Sequence, residues 1–599
     1  MRASVLPLSD GGESSSHCSN HSSSHNYSRH SLSHGPSSHS QNTDKVRTIS
    51  RLIVLLFIIP VVGGTLTYYS FAPHSLWPLE LIGIAVLLAD IALIVEKLSS
   101  HPYWYAAIAG FVWAMTLYIP LFQWIKTFVG NLPWIILCLV LSLFSVLVTI
   151  PIAHFIRLWG VICLKSALAA ALWWTVVEVA RAHFPFGGFP WGSPAYAQTT
   201  GPLMSAALWG STAGTNFLIV VWSYTLFVLV WAVLCGVSYR REHHRIGEGL
   251  PSTRHFTSFH LRYACITCCA LVLMGTIGTA GSFTYDQYER AHAESLGERR
   301  IAFIQGNVST SGLSFNTVRM EVLHNHVQAT FKLADEVKRG LQPQPDIVVW
   351  PENSADIDPI GNPDANFLIT RAAQAIHAPI LVGSVLGRES HSPQLNAILL
   401  WTGKGYQGIR HVKRHIQPFG EYLPLRRLVE KISPYAMWAG NFQPGNDDGV
   451  IPVDGTRAGV ATCFEIIFDD SGRQAVHHAA NWLAVPTNNA TFGFSNETYQ
   501  QLAISQFRAR ELHRWVVVAS TSGASAFISP DGTIWDETPL YEQHYAVRSI
   551  SLYGIRTAAT YLQPWLDRIF CTLGILVCIG SIISWKTVSY THLRAHETN

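Results

Sequence analysis

Charge is what this 599-residue chain has least of: Asp, Glu, Lys and Arg make up 13% of it, against roughly a quarter in an ordinary soluble domain. That shortage argues against a disordered protein, a single soluble enzyme domain and a nucleic-acid binder, because each needs a polar surface that is missing here. The formal net charge of +3 asks for no polyanionic partner. There is no Walker, dinucleotide-binding or metalloprotease motif. Cysteine is scarce where it would matter. Of ten cysteines, only Cys463 lies in the polar stretch from about residue 285 to 566, so that stretch has no internal disulfide. Cys18 sits in the N-terminal tail, and Cys138, Cys163, Cys235, Cys265, Cys268, Cys269, Cys571 and Cys578 lie in or beside apolar runs, where a thiol behaves as a small hydrophobe. Cys265, Cys268 and Cys269 mimic a short metal motif without further ligands, so no metal and no cofactor is expected. No charged segment, apolar run and small-residue cleavage site open the chain, so no removable signal peptide is expected.

What the chain has instead is apolar sequence, 49% of its residues, concentrated in the first half and near the C-terminus. Runs long enough to cross a bilayer, about 20 residues, fall near 52–69, 78–96, 104–125, 132–155, 159–180, 213–236, 264–284 and 567–585. The reading is a polytopic α-helical membrane domain of about eight spans carrying a polar α/β domain. The expected divisions are a disordered Ser/His-rich tail at 1–45, seven membrane helices in 46–285, a polar domain at 286–560, a last membrane helix at 561–585 and a polar tail at 586–599. Lys45, Arg47 and Arg51 precede the first span, and Arg240, Arg241, Arg245, Arg254 and Arg262 lie between the sixth and seventh. Basic loops stay in the cytoplasm, which puts the N-terminus there and the polar domain outside. The loops Phe71–Pro78 and Phe184–Gly192, rich in Gly, Pro and aromatic residues, then face the same outer side. Each suits interfacial anchoring as well as a substrate role. Glu178 and Arg181, three apart on one helical face, read either as a structural ion pair or as an anchor for the loop holding Gly188, Pro190 and Trp191. Asp90 and Lys165 read as packing or cavity residues.

From about 298 to 555, short β-rich runs alternate with helical stretches, the pattern of an α/β layered domain. Strands are expected at 300–305, 346–350, 380–385, 397–401, 459–462, 482–485, 515–519 and 525–528, and helices at 317–339, 366–377 and 497–514. In such sheets reactive groups gather at the carboxyl ends of strands. Three segments place one there. Ile347–Trp350 runs through Pro351 into Glu352, although a strand-end Glu alone is common. Lys413 opens a stretch with two prolines and a glycine that runs through Pro418-Phe419-Gly420-Glu421 to Pro424, which alone reads as a solvated turn. Gly459–Thr462 runs straight into Cys463, a nucleophile if a base lowers the thiol's hold on its proton, otherwise an inert buried thiol.

Taken together, strand–Pro–Glu, then Lys, then strand–Cys resembles the Glu–Lys–Cys arrangement of the nitrilase, or carbon–nitrogen hydrolase, superfamily. With the membrane spans, residues 50–585 resemble the apolipoprotein N-acyltransferase family. The resemblance is carried by Phe71-Ala72-Pro73, Trp77-Pro78, Gly188-Phe189-Pro190-Trp191, Gln305-Gly306-Asn307, Trp350-Pro351-Glu352, Pro418-Phe419-Gly420-Glu421, Cys463-Phe464-Glu465 and Thr487-Asn488-Asn489-Ala490-Thr491-Phe492-Gly493. It implies a nitrilase-like α-β-β-α sandwich outside a bacterial cytoplasmic membrane. It also implies acyl transfer from a phospholipid, through a thioester, to the α-amino group of the diacylglyceryl-modified N-terminal cysteine of apolipoproteins. Glu352 would be the general base, Lys413 the oxyanion-stabilising cation and Cys463 the nucleophile. Glu421 and Glu465 would be supporting acids, Glu421 orienting Lys413 or Cys463 and Glu465 the acyl donor. Phe464 stands where the family often has Tyr, which leaves a backbone N–H but no phenol, and Asn489 stands where Asp is frequent. Two other readings use the same residues: a membrane-tethered amidase in which water takes the acyl group, and a non-catalytic lipoprotein-binding scaffold. Anchoring alone needs one helix, and loss of a triad residue would have marked a scaffold.

Overall fold

A computed structural model describes residues 38–98, 100–246, 253–292, 294–308, 320–387, 393–432 and 440–597. Residues 1–37 of the Ser/His-rich tail and residues 247–252 of the basic segment lie outside them. Among the described residues seven helices are long and apolar enough to cross a membrane: Val46–Ser70, Pro78–Lys97, Pro102–Leu121, Asn131–Trp159, Pro202–Leu234, Cys265–Tyr288 and Ala558–Lys586. The run expected at 159–180 is a 20-residue helix, Leu164–His183, packed against Asn131–Trp159 and Ala207–Ile246. It carries Lys165, Glu178 and Arg181 and is less apolar than the others, so by length and composition the spans number seven, and counting it as an eighth is a proposal. The first helix starts at Ser38, so residues 38–45, expected to be unstructured, are helical. Extending a nucleated helix gains one hydrogen bond per residue, which carries it outward past the apolar run.

Among its described residues the polar part holds twelve strands: β1 (Ser295–Gln305), β2 (Ile347–Val349), β3 (Ile380–Leu386), β4 (Leu395–Thr402), β5 (Gly405–Val412), β6 (Val450–Val453), β7 (Thr456–Val460), β8 (Trp482–Thr487), β9 (Val516–Ser520), β10 (Ala526–Ile528), β11 (Ile534–Trp535) and β12 (His544–Tyr553). They form two six-stranded sheets, ordered β12-β1-β2-β3-β4-β5 and β11-β10-β9-β8-β7-β6. The centre of each is parallel, β1-β2-β3 and β7-β8-β9, and the flanking pairs are antiparallel. Side chains alternate along each strand. In β1, Ile301 and Phe303 pack with Ala458, Val460 and Trp482 of the other sheet, while Ala302 and Ile304 face the helices Glu321–Lys338 and Pro363–Ile376. Asp469–His477 and Glu497–Leu512 cover the other sheet, and their apolar faces share one hydrophobic cluster with the membrane helices. The expected sandwich is therefore present, joined to the membrane domain through a continuous core.

β5, β6, β11 and β12 were not expected from the sequence. They lie at or next to sheet edges, and β5, reading Gly-Tyr-Gln-Gly-Ile-Arg-His-Val, has the polar and glycine content of a half-exposed edge.

Candidate active site

Four strand ends converge. After β2 the chain turns at Pro351 to present Glu352, and Gly383 of the neighbouring β3 leaves it room. A Cβ at Gly383 would lie 2.1 Å from the Pro351 carbonyl oxygen and 2.7 Å from the Glu352 Cα. Lys413 follows β5 directly. Three residues past β7, Cys463 takes a φ of +53° and starts the 3-10 turn Cys463–Ile467. A non-glycine residue held in that left-handed region is strained, and such strain gathers at functional sites. Asn488 and Asn489 follow β8.

Glu352, Lys413 and Glu421 form one buried cluster. The Lys413 ammonium donates to Glu352 Oε1 at 2.9 Å and to Glu421 Oε1 at 3.1 Å. Asn396 Nδ2 donates to the same two oxygens, at 2.7 and 2.6 Å. The remaining oxygens accept from backbone: Glu352 Oε2 from Asn488 N at 3.1 Å and Glu421 Oε2 from Gln417 N at 2.7 Å. Burial works against the Lys413 charge, but the two carboxylates outweigh it and hold the ammonium protonated well above its ordinary range. Burial, with the Glu352 charge, raises the Glu421 carboxyl despite Lys413.

Cys463 is buried, unpaired, and within electrostatic reach of Glu352 and Lys413. Burial and the Glu352 charge push its thiol up to about 12, with Lys413 pulling the other way. At neutral pH the sulfur is therefore a thiol rather than a thiolate. Gln501 Nε2 lies 3.6 Å from the sulfur.

Glu465 has its own set of hydrogen bonds. Its Oε2 accepts from Thr462 N at 2.8 Å, and its Oε1 from Arg414 N at 2.6 Å and His415 N at 3.2 Å. It ties the Cys463 turn to the residues after Lys413, with both oxygens occupied by protein. His411 bridges Glu465 and Asp447, at 3.3 and 2.6 Å. Burial lowers the imidazole's pKa, but these two hydrogen-bonded carboxylates more than offset it and raise it to about 9, so His411 is a buried cation.

The loop after Leu164–His183 reaches this site. Gly188, Pro190 and Trp191 are buried. Gly188 has a φ of +85°, and a Cβ there would lie 2.1 Å from the Ala182 carbonyl. Arg181 donates to the Phe189 and Trp191 carbonyls at 2.7 and 2.9 Å while pairing with Glu178 at 2.6 Å, so both readings of that pair hold together. Phe189 stacks against Phe464, the residue after Cys463, at 6.3 Å between ring centroids. Trp191 Nε1 and Trp124 Nε1 both donate to Gln500 Oε1, at 2.9 and 3.2 Å. Asp90, by contrast, is buried among the membrane helices, away from these residues. Asn396, His411, Gln500 and Gln501 went unread in the sequence. Each is a neutral or common residue inside an element, and its partners come from other elements. Among the described residues no group of three or more His, Cys, Asp or Glu side chains could hold a metal ion.

Comparison with known proteins gives two family models in chain order: an apolipoprotein N-acyltransferase N-terminal domain at residues 63–225 and a carbon–nitrogen hydrolase at residues 301–560. A protein of Mycolicibacterium smegmatis named apolipoprotein N-acyltransferase is 37% identical over 87% of this chain and 84% of its own. Proteins of the same name from Geobacter metallireducens and Haemophilus influenzae are 27% and 24% identical, each over 81% of this chain and over 88% and 87% of their own. With both domains matched and the first of these relatives similar along most of its length, the chain belongs to the apolipoprotein N-acyltransferase family.

Proposed function

We propose that the chain is a phospholipid:apolipoprotein N-acyltransferase that works by ping-pong acyl transfer through a thioester on Cys463. The observation that supports this most is the enclosed Glu352–Lys413–Cys463 cluster, with the residue after the thiol packed against a loop of the membrane domain. In the first half-reaction Cys463 Sγ attacks the ester carbonyl of a phospholipid as Glu352 takes the thiol proton. The C–S bond forms, the ester C–O bond breaks, and the lysophospholipid leaves with the proton from Glu352. In the second, the α-amino group of an S-diacylglyceryl N-terminal cysteine attacks the thioester. The C–N bond forms, the C–S bond breaks, and the amine proton passes by way of Glu352 to restore the thiol.

Lys413 supplies charge where each tetrahedral oxyanion develops. The Phe464 N–H, in the first turn of the 3-10 helix, is free of an intrahelical acceptor and supplies a second donor. Glu421 holds Lys413 in place, and Glu465 fixes the Cys463 turn against the Lys413 segment. Gly188, Pro190 and Trp191 shape the approach of the acyl donor. The basic residues flanking the first span and between the sixth and seventh favour a cytoplasmic N-terminus in a bacterial cytoplasmic membrane, with the sandwich outside and Leu164–His183 as an eighth crossing. An active site against the outer leaflet meets two lipid-anchored substrates in two dimensions.

The test is transfer of a labelled acyl chain from phospholipid to a diacylated lipopeptide with a free N-terminal amine, using the purified chain in detergent. An amide-linked, triacylated product supports the reading. Hydrolysis of a small soluble amide with no acyl transfer would replace it with the tethered amidase.

A further inference from the structure

A glutamine amide can face a neighbour with its oxygen or its nitrogen, and a chain of hydrogen bonds beside Cys463 decides which. The Gly523 N–H can only donate, and it donates to Ser520 Oγ at 2.8 Å. The Ser520 hydroxyl proton is thereby turned toward Asn489 Oδ1, at 2.5 Å. That fixes the other end of Asn489, whose Nδ2 donates to Glu497 Oε2 at 2.7 Å and to Gln501 Oε1 at 3.1 Å. Thr487 Oγ1 fills the same Gln501 oxygen at 2.8 Å. With its oxygen held by two donors, Gln501 presents Nε2 to Cys463 Sγ at 3.6 Å, an ordinary length for an N–H donor on sulfur. All five side chains are buried, so water does not scramble this order.

We propose that Gln501 is a catalytic residue, donating an N–H to the sulfur as negative charge develops on it, and that Asn489 and Glu497 are positioning residues that hold the amide in that sense; this rests on the acyl-enzyme reading above. Charge builds on sulfur twice. It does so when Glu352 withdraws the thiol proton as the C–S bond forms, and again when the incoming amine forms the C–N bond and the C–S pair returns to sulfur. A donor to sulfur is worth more in those states than to the neutral thiol or thioester, so it lowers both barriers. The arrangement also accounts for Asn489 where the family pattern frequently has Asp. Aspartate beside Glu497 would bring two carboxylates into one buried spot, and it would accept from Gln501 rather than donate, turning the amide oxygen toward the sulfur.

The test needs no lipid: alkylation of Cys463 by iodoacetamide in the full chain in detergent, followed at the Cys463 peptide by mass spectrometry between pH 7.5 and 9.5. Gln501→Met fills the same space without a donor, and its alkylation rate is expected to fall about 10- to 100-fold at each pH, the range for one hydrogen bond to a charged group. Asn489→Asp and Glu497→Leu should fall likewise, and they carry the test if Gln501→Met lowers the thermal midpoint. Glu497→Gln, whose amide oxygen still accepts from Asn489, should recover most of the rate lost in Glu497→Leu. Single-turnover thioester formation should drop by the same factor with unchanged half-saturating phospholipid. Alkylation within twofold of wild type in a folded Gln501→Met chain overturns the proposal. If the alkylation rates separate as expected but wild type forms no thioester, the contact with sulfur stands and the acyl-transfer reading fails.

Discussion

Phe189, from a loop between membrane helices, stacks against Phe464, the residue that follows Cys463, at 6.3 Å between centroids. Through this pair the membrane domain packs against the turn that carries Cys463, and Arg181 holds Phe189 by its backbone carbonyl at 2.7 Å. Replacing Arg181 with Gln removes that hold and leaves Glu178 without its cation. Transfer should fall about 100-fold, the scale on which small displacements of a reacting group act. The double variant E178Q/R181Q should regain thermal stability but not rate. Recovery of rate in the double variant would show that the loop needs no anchor.

Lys413 is bonded to two carboxylates at one enclosed site, Glu352 and Glu421. Lys413→Met leaves both facing each other, a change expected to cost about 3–5 kcal/mol and to cut transfer by at least about 100-fold. Adding Glu421→Gln should restore the thermal midpoint while activity stays lost. Activity returning with stability would mean that Lys413 serves only the fold.

Gly383 is a steric requirement of Glu352. A Cβ there would overlap the Pro351 carbonyl at 2.1 Å, and backbone cannot yield as a flexible side chain does. Gly383→Ala should therefore push Glu352, the proposed general base, out of place and lower the turnover number about 100-fold, with little effect on half-saturating phospholipid. An equal loss confined to phospholipid affinity would contradict this.

His411 gives the fold a pH dependence of known sign. Its folded value of about 9 lies above the ordinary 6.5, so its contribution is fully present below pH 6.5 and is lost as pH rises through 9. Asp447, held down to about 2 against burial by His411 and backbone N–H groups, contributes above pH 3.8 and is lost as pH falls through 2. The thermal midpoint in detergent should decline between pH 7 and 10, and His411→Gln should flatten that decline. An unchanged slope in the variant would remove His411 as its source.

The parts of this site that could be read in the sequence are those with a local signature. Trp350-Pro351-Glu352 announces a strand that stops, and Cys463 stands out because its polar domain has no other cysteine. The inner strands β2, β3, β8 and β9 could be read because burial on both faces leaves near-continuous apolar runs. The parts that could not be read are relational. Asn396 looks like any polar residue in a strand until pairing with β5 sets it beside Lys413, whose N–H bonds its carbonyl at 2.8 Å. Gln500 and Gln501 are neighbours on one helix, yet the turn of about 100° between them sends one to Trp191 and Trp124 and the other to Cys463. Glu465 is relational too: the family resemblance gave it a supporting role toward the acyl donor, and only the fold shows its oxygens accepting from Thr462, Arg414 and His415 and meeting His411.

The most direct test of the central claim is the intact mass of the purified chain after incubation with one defined phospholipid, beside Cys463→Ala. The account predicts a mass gain of one acyl chain on wild type alone, discharged when a diacylated lipopeptide amine is added. A folded wild-type chain that gains no mass, or a Cys463→Ala chain that gains the same mass, would contradict it.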